Sequence, residues 1–193
     1  MLDMPSVTAH HPPPLTSRPL PGMIRDCRPD DFAVVADIYN TFVVTGGVTM
    51  DTVLKSAEDV AAQVAGFNAR EALIILEDEG LVRGWGIIKR YSERLGYRAS
   101  CETSVYLRPE DVRRGYGSRI KRAVIDRCRT LGYHCLVARV MADNAACIAY
   151  NCKLGYRVVG TFRELGYRHG RWVDVVLMQL LLEDVPPYLP ELG

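Results

Sequence analysis

The sequence predicts a single mixed α/β domain, on three observations. Segments with helical apolar spacing alternate with short strand-like runs from Met23 to Leu182. Prolines avoid that stretch: six of the eleven fall within the first 21 residues, and only two fall between Gly22 and Val185. With 193 residues, 48% of them hydrophobic, the chain can bury one substantial core and has little room for two. The domain is therefore expected over 23–184. Residues 1–22 read as a Pro-rich tail, disordered or extended, in which Pro12-Pro13-Pro14 could dock a partner or simply be passive. Pro186, Pro187 and Pro190 end the last strand and mark 185–193 as a second tail.

Within the domain, a short strand is expected at Met23–Arg25. Asp30 and Asp31 then open a helix whose Phe32, Val35, Ile38, Tyr39 and Phe42 share one face. Ser56 starts a second helix, with Asp59 three residues on as a capping-box partner, and it buries Val60, Val64 and Phe67. Ala72–Leu76 and Leu81–Lys89 form a hairpin across Glu77-Asp78-Glu79-Gly80, and Thr103–Leu107 is the next strand. A helix from Gly117 to Leu131 carries Ile120, Val124, Cys128 and Leu131 at helical spacing and closes at Gly132. The remainder reads as a strand Leu136–Val140, a helix Ala145–Leu154 stopped by Gly155, and strands Tyr156–Phe162 and Val173–Leu182. The order is β-α-α-β-β-β-α-β-α-β-β, without an internal repeat.

The balance of charges excludes some classes of function. Twenty-four basic and 23 acidic side chains leave a formal charge of +1, so the protein is not a generally basic nucleic-acid coat. No apolar run approaches the roughly 20 residues of a membrane-spanning helix. The N-terminal segment has neither the basic nor the apolar region of a secretory signal, and a cytoplasmic location is expected. Six cysteines at irregular spacings, with no CxxC, read as small hydrophobes in a reducing compartment, and no metal site is implied.

Chemistry is concentrated where the strand ending at Leu107 passes through a short loop into a helix. Gly115 and Gly117 allow close backbone approach, and the N–H groups of the helix start make an anion site. Arg113, Arg114 and Arg119 add positive charge, which would suit a pyrophosphate. Tight turns also use glycine for steric reasons alone. A dinucleotide fingerprint would need glycine where Ile120 stands, and a Walker loop would need Gly-Lys-Ser/Thr; both are missing.

The block from Met23 to Leu182 resembles the GNAT acetyltransferase superfamily. Its acetyl-CoA loop, Gln/Arg-x-x-Gly-x-Gly/Ala, corresponds to Val112-Arg113-Arg114-Gly115-Tyr116-Gly117, with Val112 in place of the leading Gln or Arg. The segment from Asn144 to Tyr156, ending Lys153-Leu154-Gly155-Tyr156, is similar to the superfamily's Asn-x-x-Ser/Ala helix. Two further segments resemble the phosphinothricin acetyltransferase branch: Cys101-Glu102-Thr103-Ser104-Val105-Tyr106-Leu107, and the stretch Leu165 to Asp174 containing His169-Gly170 and Trp172.

The resemblance implies a GNAT fold, a central mixed, mostly antiparallel twisted sheet with helices on both faces. It also implies acetyl transfer from acetyl-CoA to the amine of a small amino-acid-like molecule, of the phosphinothricin or methionine-sulfone type. Cofactor contacts are implied for Val105, Tyr106, Leu107, Val112, Arg113, Arg114, Gly115, Tyr116, Gly117, Ser118, Asn144 and Lys153. Glu102 becomes the base that takes the amine proton, directly or through water, or else a salt-bridged surface residue. The position that often holds a His or Tyr to protonate the leaving thiolate holds Asn151, which cannot act as an acid; neighbouring Tyr150 is turned by about 100° along the helix.

Acceptor contacts are implied in Tyr39 to Met50 and Lys89 to Arg98, with Tyr39, Arg90, Arg98 and His169 as candidates. The arginines could equally be solvated surface charge, and His169 and Trp172 could be structural. Arg119, Lys121, Arg122 and Arg129 could form a basic surface, for which the phosphates of coenzyme A are a simpler partner than nucleic acid. Three alternatives stay open: another amine such as a protein N-terminus or polyamine, a coenzyme-A-binding regulatory module without activity, and assembly as a monomer or homodimer.

Overall fold

The structure is a computed structural model that describes residues 22–186; nearly all of both tails, including Pro12-Pro13-Pro14, lies outside it. Among the described residues seven strands and four α-helices follow the expected order: β1 (Met23–Asp26), α1 (Phe32–Thr45), α2 (Ala57–Ala65), β2 (Ala72–Asp78), β3 (Leu81–Arg90), β4 (Ser100–Leu107), α3 (Tyr116–Thr130), β5 (Cys135–Met141), α4 (Ala145–Lys153), β6 (Arg157–Arg168) and β7 (Arg171–Leu181). They build one sheet in the order β1-β2-β3-β4-β5-β7-β6, antiparallel throughout except between β4 and β5.

The sheet is covered on both sides, and β2 shows why its apolar run is continuous rather than alternating. Leu73 and Ile75 enter a core with α1 and α2, while Ile74 and Leu76 enter a second core with α3. The Ser56–Asp59 capping box forms as expected, with Asp59 N donating to Ser56 Oγ at 3.2 Å and Ser56 N donating to Asp59 Oδ2 at 2.8 Å. Gly66 caps α2 earlier than expected, so Phe67 packs on the core from outside the helix. At the β2–β3 hairpin the strands pair up to Asp78 and Leu81. The turn narrows to Glu79 and Gly80, both at positive φ, which matches the twist of the flanking strands.

Three larger differences bear on the site. Strand β4 begins at Ser100, so Glu102 lies within it rather than beside it. Strand β6 runs six residues past Phe162, because a bulge absorbs the irregular stretch: Phe162 pairs with Val175 and Gly166 with Val173, leaving three residues opposite Asp174. Asp174 Oδ1 fixes the bulge by accepting from Glu164 N at 2.7 Å. Val185, assigned to the C-terminal tail on its prolines, is buried in the α3 core, so the packed domain extends to it.

Candidate active site

Strands β4 and β5 pair only from Ser100–Cys135 to Glu102–Val137, yet β4 continues to Leu107 and β5 to Met141. Beyond Glu102 the two strands lack a mutual ladder, which leaves main-chain groups inside the sheet for a ligand. Alternation along β4 then divides the site between two faces. Cys101, Val105 and Leu107 pack toward α3, whereas Glu102, Ser104 and Tyr106 line a cavity on the α1–α2 face.

On the α3 side, Gly115 adopts φ 86°, a left-handed conformation that glycine takes without a Cβ penalty, and N-caps α3 with no side-chain hydrogen bond. The first-turn amides of Tyr116, Gly117 and Ser118 are thus left for an anion. A Cβ on Gly117 would lie 3.2 Å from Leu107 Cδ1 and 3.6 Å from the Tyr150 hydroxyl, so the backbone there is open only because residue 117 has no side chain. This cradle fits the pyrophosphate and pantetheine of coenzyme A. Arg114 is held by the fully buried Asp111 at 2.9 Å, and Arg113 carries a strained φ of 64°. Val112 is half exposed.

Several implied contacts fall elsewhere. The Tyr116 side chain is buried and its hydroxyl donates to Asp78 Oδ2 at 2.6 Å, so only its backbone can meet a cofactor. Asn144 caps α4 by accepting from Cys147 N at 3.0 Å and donates to Gly47 O at 3.0 Å, so its side chain braces α4 against the loop after α1. Lys153 is exposed in the last turn of α4. Asn151 is 4% exposed, its Nδ2 donates to Cys147 O at 2.9 Å, and its Oδ1 is buried without a partner; it is a core residue of α4. The hydroxyl that reaches the glycine loop is that of Tyr150, which donates to Gly117 O at 2.7 Å; burial raises its pKa, so it stays protonated. The basic surface also dissolves: Lys121 is 3% exposed and donates to Thr103 Oγ1 at 2.8 Å, Arg119 donates to Gly22 O, and Arg129 pairs with Asp126 and Asp184.

On the other face lies a cavity of about 360 Å³. Trp85, Tyr106, Met141 and the bulge residue Leu165 supply apolar wall, and Tyr39, Asp51, Lys55, Lys89, Glu102 and Arg139 the polar groups. Tyr106 and Trp85 stack at 4.5 Å between centroids, with Tyr39 edge-on to Tyr106 at 5.1 Å. The loop that closes the cavity is fastened at several points. Tyr39 donates to Asp51 Oδ2 at 2.6 Å and lies 2.7 Å from Thr49 Oγ1, while the Asn40 amide bonds both Lys55 N and Lys55 O at 2.8 Å. Buried Arg168 donates to Thr49 O and Val43 O. Burial, then the bond to Asp51, raises the Tyr39 pKa, so this phenol is a donor and not a base.

Of the four candidate acceptor contacts, only Tyr39 lines this cavity. Arg90 is exposed and paired with Glu93 at 2.7 Å. Arg98 lies outside the cavity wall, and its carbonyl accepts from Arg70. His169 sits at positive φ in the two-residue β6–β7 turn against Gly46, and Trp172 packs edge-on to Tyr167 at 5.1 Å, so both serve the hairpin. Arg139 is a site residue that the strand pattern concealed: its Nε donates to Glu102 Oε1 at 2.9 Å and its Nη2 to Oε2. A charge inside the run Leu136-Val137-Ala138-Arg139-Val140 was the available signal that one face of this strand is open. Among the described residues no group of three His, Cys, Asp or Glu side chains could hold a metal ion, and no helix is long and apolar enough to cross a membrane.

An anion-ready helix start, an interrupted sheet and a carboxylate on the far side of the gap define a site for group transfer from a phosphate-bearing donor. The chain belongs to the GNAT acetyltransferases: residues 24–177 match the family model described as acetyltransferase (GNAT) domain. An L-amino acid N-acyltransferase of Escherichia coli is 31% identical over 83% of this chain and 94% of its own. An L-methionine sulfoximine/L-methionine sulfone acetyltransferase of Salmonella typhimurium is 31% identical over 80% and 91%. A phosphinothricin acetyltransferase of Sinorhizobium meliloti, solved with acetyl-CoA, superposes with a TM-score of 0.82 at 27% identity, covering 89% of this chain and 94% of that one.

Proposed function

We propose that this acetyltransferase acetylates the amine of a small amino-acid-like molecule bound in the Glu102 cavity. The observation that carries this reading is the placement of Glu102 at the last β4–β5 pair, where the cavity meets the gap leading to the glycine loop. Relatives named for L-amino acid and methionine sulfone substrates support the acceptor class.

Acetyl-CoA supplies an activated acetyl group: the amine nitrogen forms the new C–N bond, the C–S bond breaks, and coenzyme A leaves as the thiol with net release of one proton. The first-turn amides of α3 and the Arg113–Arg114 loop hold the phosphates, and Gly117 gives the pantetheine room. The main-chain N–H of Leu107, which faces the β5 side of β4 beyond the end of the β4–β5 ladder, stabilises the developing oxyanion. Glu102 takes the ammonium proton that otherwise blocks attack near neutral pH. Tyr150, not Asn151, is the hydroxyl beside the departing sulfur, and a thiolate needs only modest help to leave.

Thiol release from acetyl-CoA with a panel of amino acids, amino-acid amides and polyamines tests the reading. Release with amino acids and acetylated product by mass is the expected result; release with polyamines alone would replace the acceptor class. Exposed Val158, Val159 and Phe162 on edge strand β6 support pairing with a second copy, expected by light scattering at twice 21.6 kDa.

A further inference from the structure

The Glu102–Arg139 pair has a consequence for which acceptors the enzyme turns over. Alternation on β5 sends Leu136, Ala138 and Val140 into the α3 core and leaves Arg139 and Met141 on the cavity side. There the Arg139 guanidinium engages both oxygens of Glu102, one bond at 2.9 Å through Nε and the other through Nη2. A guanidinium that bonds both oxygens leaves an incoming ammonium only the outer lone pair of each, on a carboxylate already pinned in place and facing a cation. The arginine is not otherwise committed. Its side chain is 53% exposed, and no other hydrogen bond from it is found among the described residues. The remaining N–H groups therefore face water and the cavity mouth.

Resting on the acetyltransferase reading above, we propose that Arg139 is a specificity-determining residue that works as a substrate-operated latch. Without acceptor, the guanidinium holds Glu102. An acceptor with a carboxylate beside its amine offers the same planar two-oxygen fork and takes over part of the guanidinium. Glu102 then keeps at most one bond to Arg139 and turns its freed oxygen to the ammonium, which in an α-amino acid lies one carbon from the carboxylate. The proton passes from that nitrogen to Glu102, and the neutral amine is released for attack on the thioester carbon. An amine lacking the carboxylate binds without opening the latch and meets a base still held in place by the guanidinium. The requirement for an acidic acceptor is thus built into the base itself.

The test compares L-methionine sulfone with its primary amide, reading thiol release in the wild type, Arg139→Gln and Arg139→Lys. The wild type is expected to prefer the acid by about tenfold to a hundredfold in kcat/KM. Arg139→Gln should raise KM for the acid and raise kcat for the amide, collapsing the preference toward unity. Arg139→Lys keeps the charge but not the fork and should fall between. Melting curves and calorimetric acetyl-CoA affinity check that each variant is folded and loaded; a purely structural role for Arg139 would slow both acceptors alike and leave their ratio at its wild-type value, which overturns the latch. Wild-type turnover with no preference for the acid would overturn it too, while leaving the acetyltransferase standing. Absence of turnover with every amine would overturn both.

Discussion

The Tyr150 hydroxyl donates to the carbonyl oxygen of Gly117 at 2.7 Å, tying α4 to the first turn of α3 across the cofactor cradle. In the proposed reaction this one bond braces the loop assigned to the phosphates and keeps a protonated phenol on the side where the thiolate would depart. Tyr150→Phe removes the bond and keeps the ring. Loss of one such hydrogen bond is worth about 1 kcal/mol, so acetyl-CoA affinity should fall by about fivefold. Turnover should fall further, by about tenfold, if the phenol also assists the sulfur. Calorimetry and steady-state kinetics on the same protein separate the two; equal losses in both would leave Tyr150 a loop brace only.

Asn151→His is expected to give no gain in turnover. Residue 151 sits four positions after Cys147 and three after Ile148, both packed toward the α3 core, so helical phase places it on that face. An imidazole there would be buried beside Cys147, away from the Gly117 carbonyl that Tyr150 occupies. The variant should melt lower than the wild type by the equivalent of about 1–3 kcal/mol. A faster enzyme with unchanged melting would contradict the placement of Asn151 in the core.

Gly117→Val tests the cradle. The first added carbon already meets Leu107 at 3.2 Å, and the two further methyls must enter the space beside Tyr150 or the open amides. Acetyl-CoA affinity should fall by about a hundredfold or more, equivalent to about 3 kcal/mol. Calorimetry on a variant that retains a cooperative melt is the measurement, and unchanged affinity would remove this loop from cofactor binding.

These outcomes mark what the sequence carries and what it hides. The Ser56 cap, the apolar runs of β2 and β3, and the glycine loop are local signals, and each forms where its residues predict. The Glu102–Arg139 contact joins residues 37 apart through a β4–β5 pairing that no local pattern encodes. Tyr116 misleads for a related reason, since a side chain between two loop glycines turns into the core to reach Asp78. The length of β6 was hidden because its bulge breaks the two-residue period that identifies a strand.

Glu102→Gln keeps the shape of the side chain and one acceptor oxygen for Arg139, but it cannot take a proton. Turnover with the best acceptor should fall by roughly 10²–10⁴-fold, with acetyl-CoA affinity nearly intact because Glu102 faces the opposite side of β4 from the glycine loop. The residual rate should climb with pH as free amine accumulates. Wild-type-like turnover near neutral pH would take Glu102 out of the mechanism.

Lys121 carries its ammonium into the α3 core under β4, 2.8 Å from Thr103 Oγ1 and 4.6 Å from the Tyr156 ring centroid. No carboxylate pairs with it among the described residues, and burial pulls its pKa down from 10.5 to about 8. Below about pH 8 the folded and unfolded chains both hold the proton, and the cost of burying the charge is at its full size. Between about pH 8 and 10.5 the unfolded chain still holds it while the folded chain has released it. Unfolding therefore takes up a proton in that window, and this contribution makes the protein more stable as pH rises. Burial raises the pKa of Cys101 and Cys147 and of Tyr150 and Tyr156, and these groups act in the opposite sense at alkaline pH, so the wild-type curve alone is ambiguous. The difference between the wild type and Lys121→Met cancels them to the extent that the substitution leaves their surroundings unchanged. Methionine fills a similar volume without charge and leaves Thr103 its 2.9 Å contact with the Tyr156 hydroxyl. Urea denaturation should show the stability of Lys121→Met relative to the wild type shrinking by about 2 kcal/mol between pH 7 and pH 10. A difference that stays constant with pH would mean that Lys121 titrates normally and that its charge is solvated despite its burial.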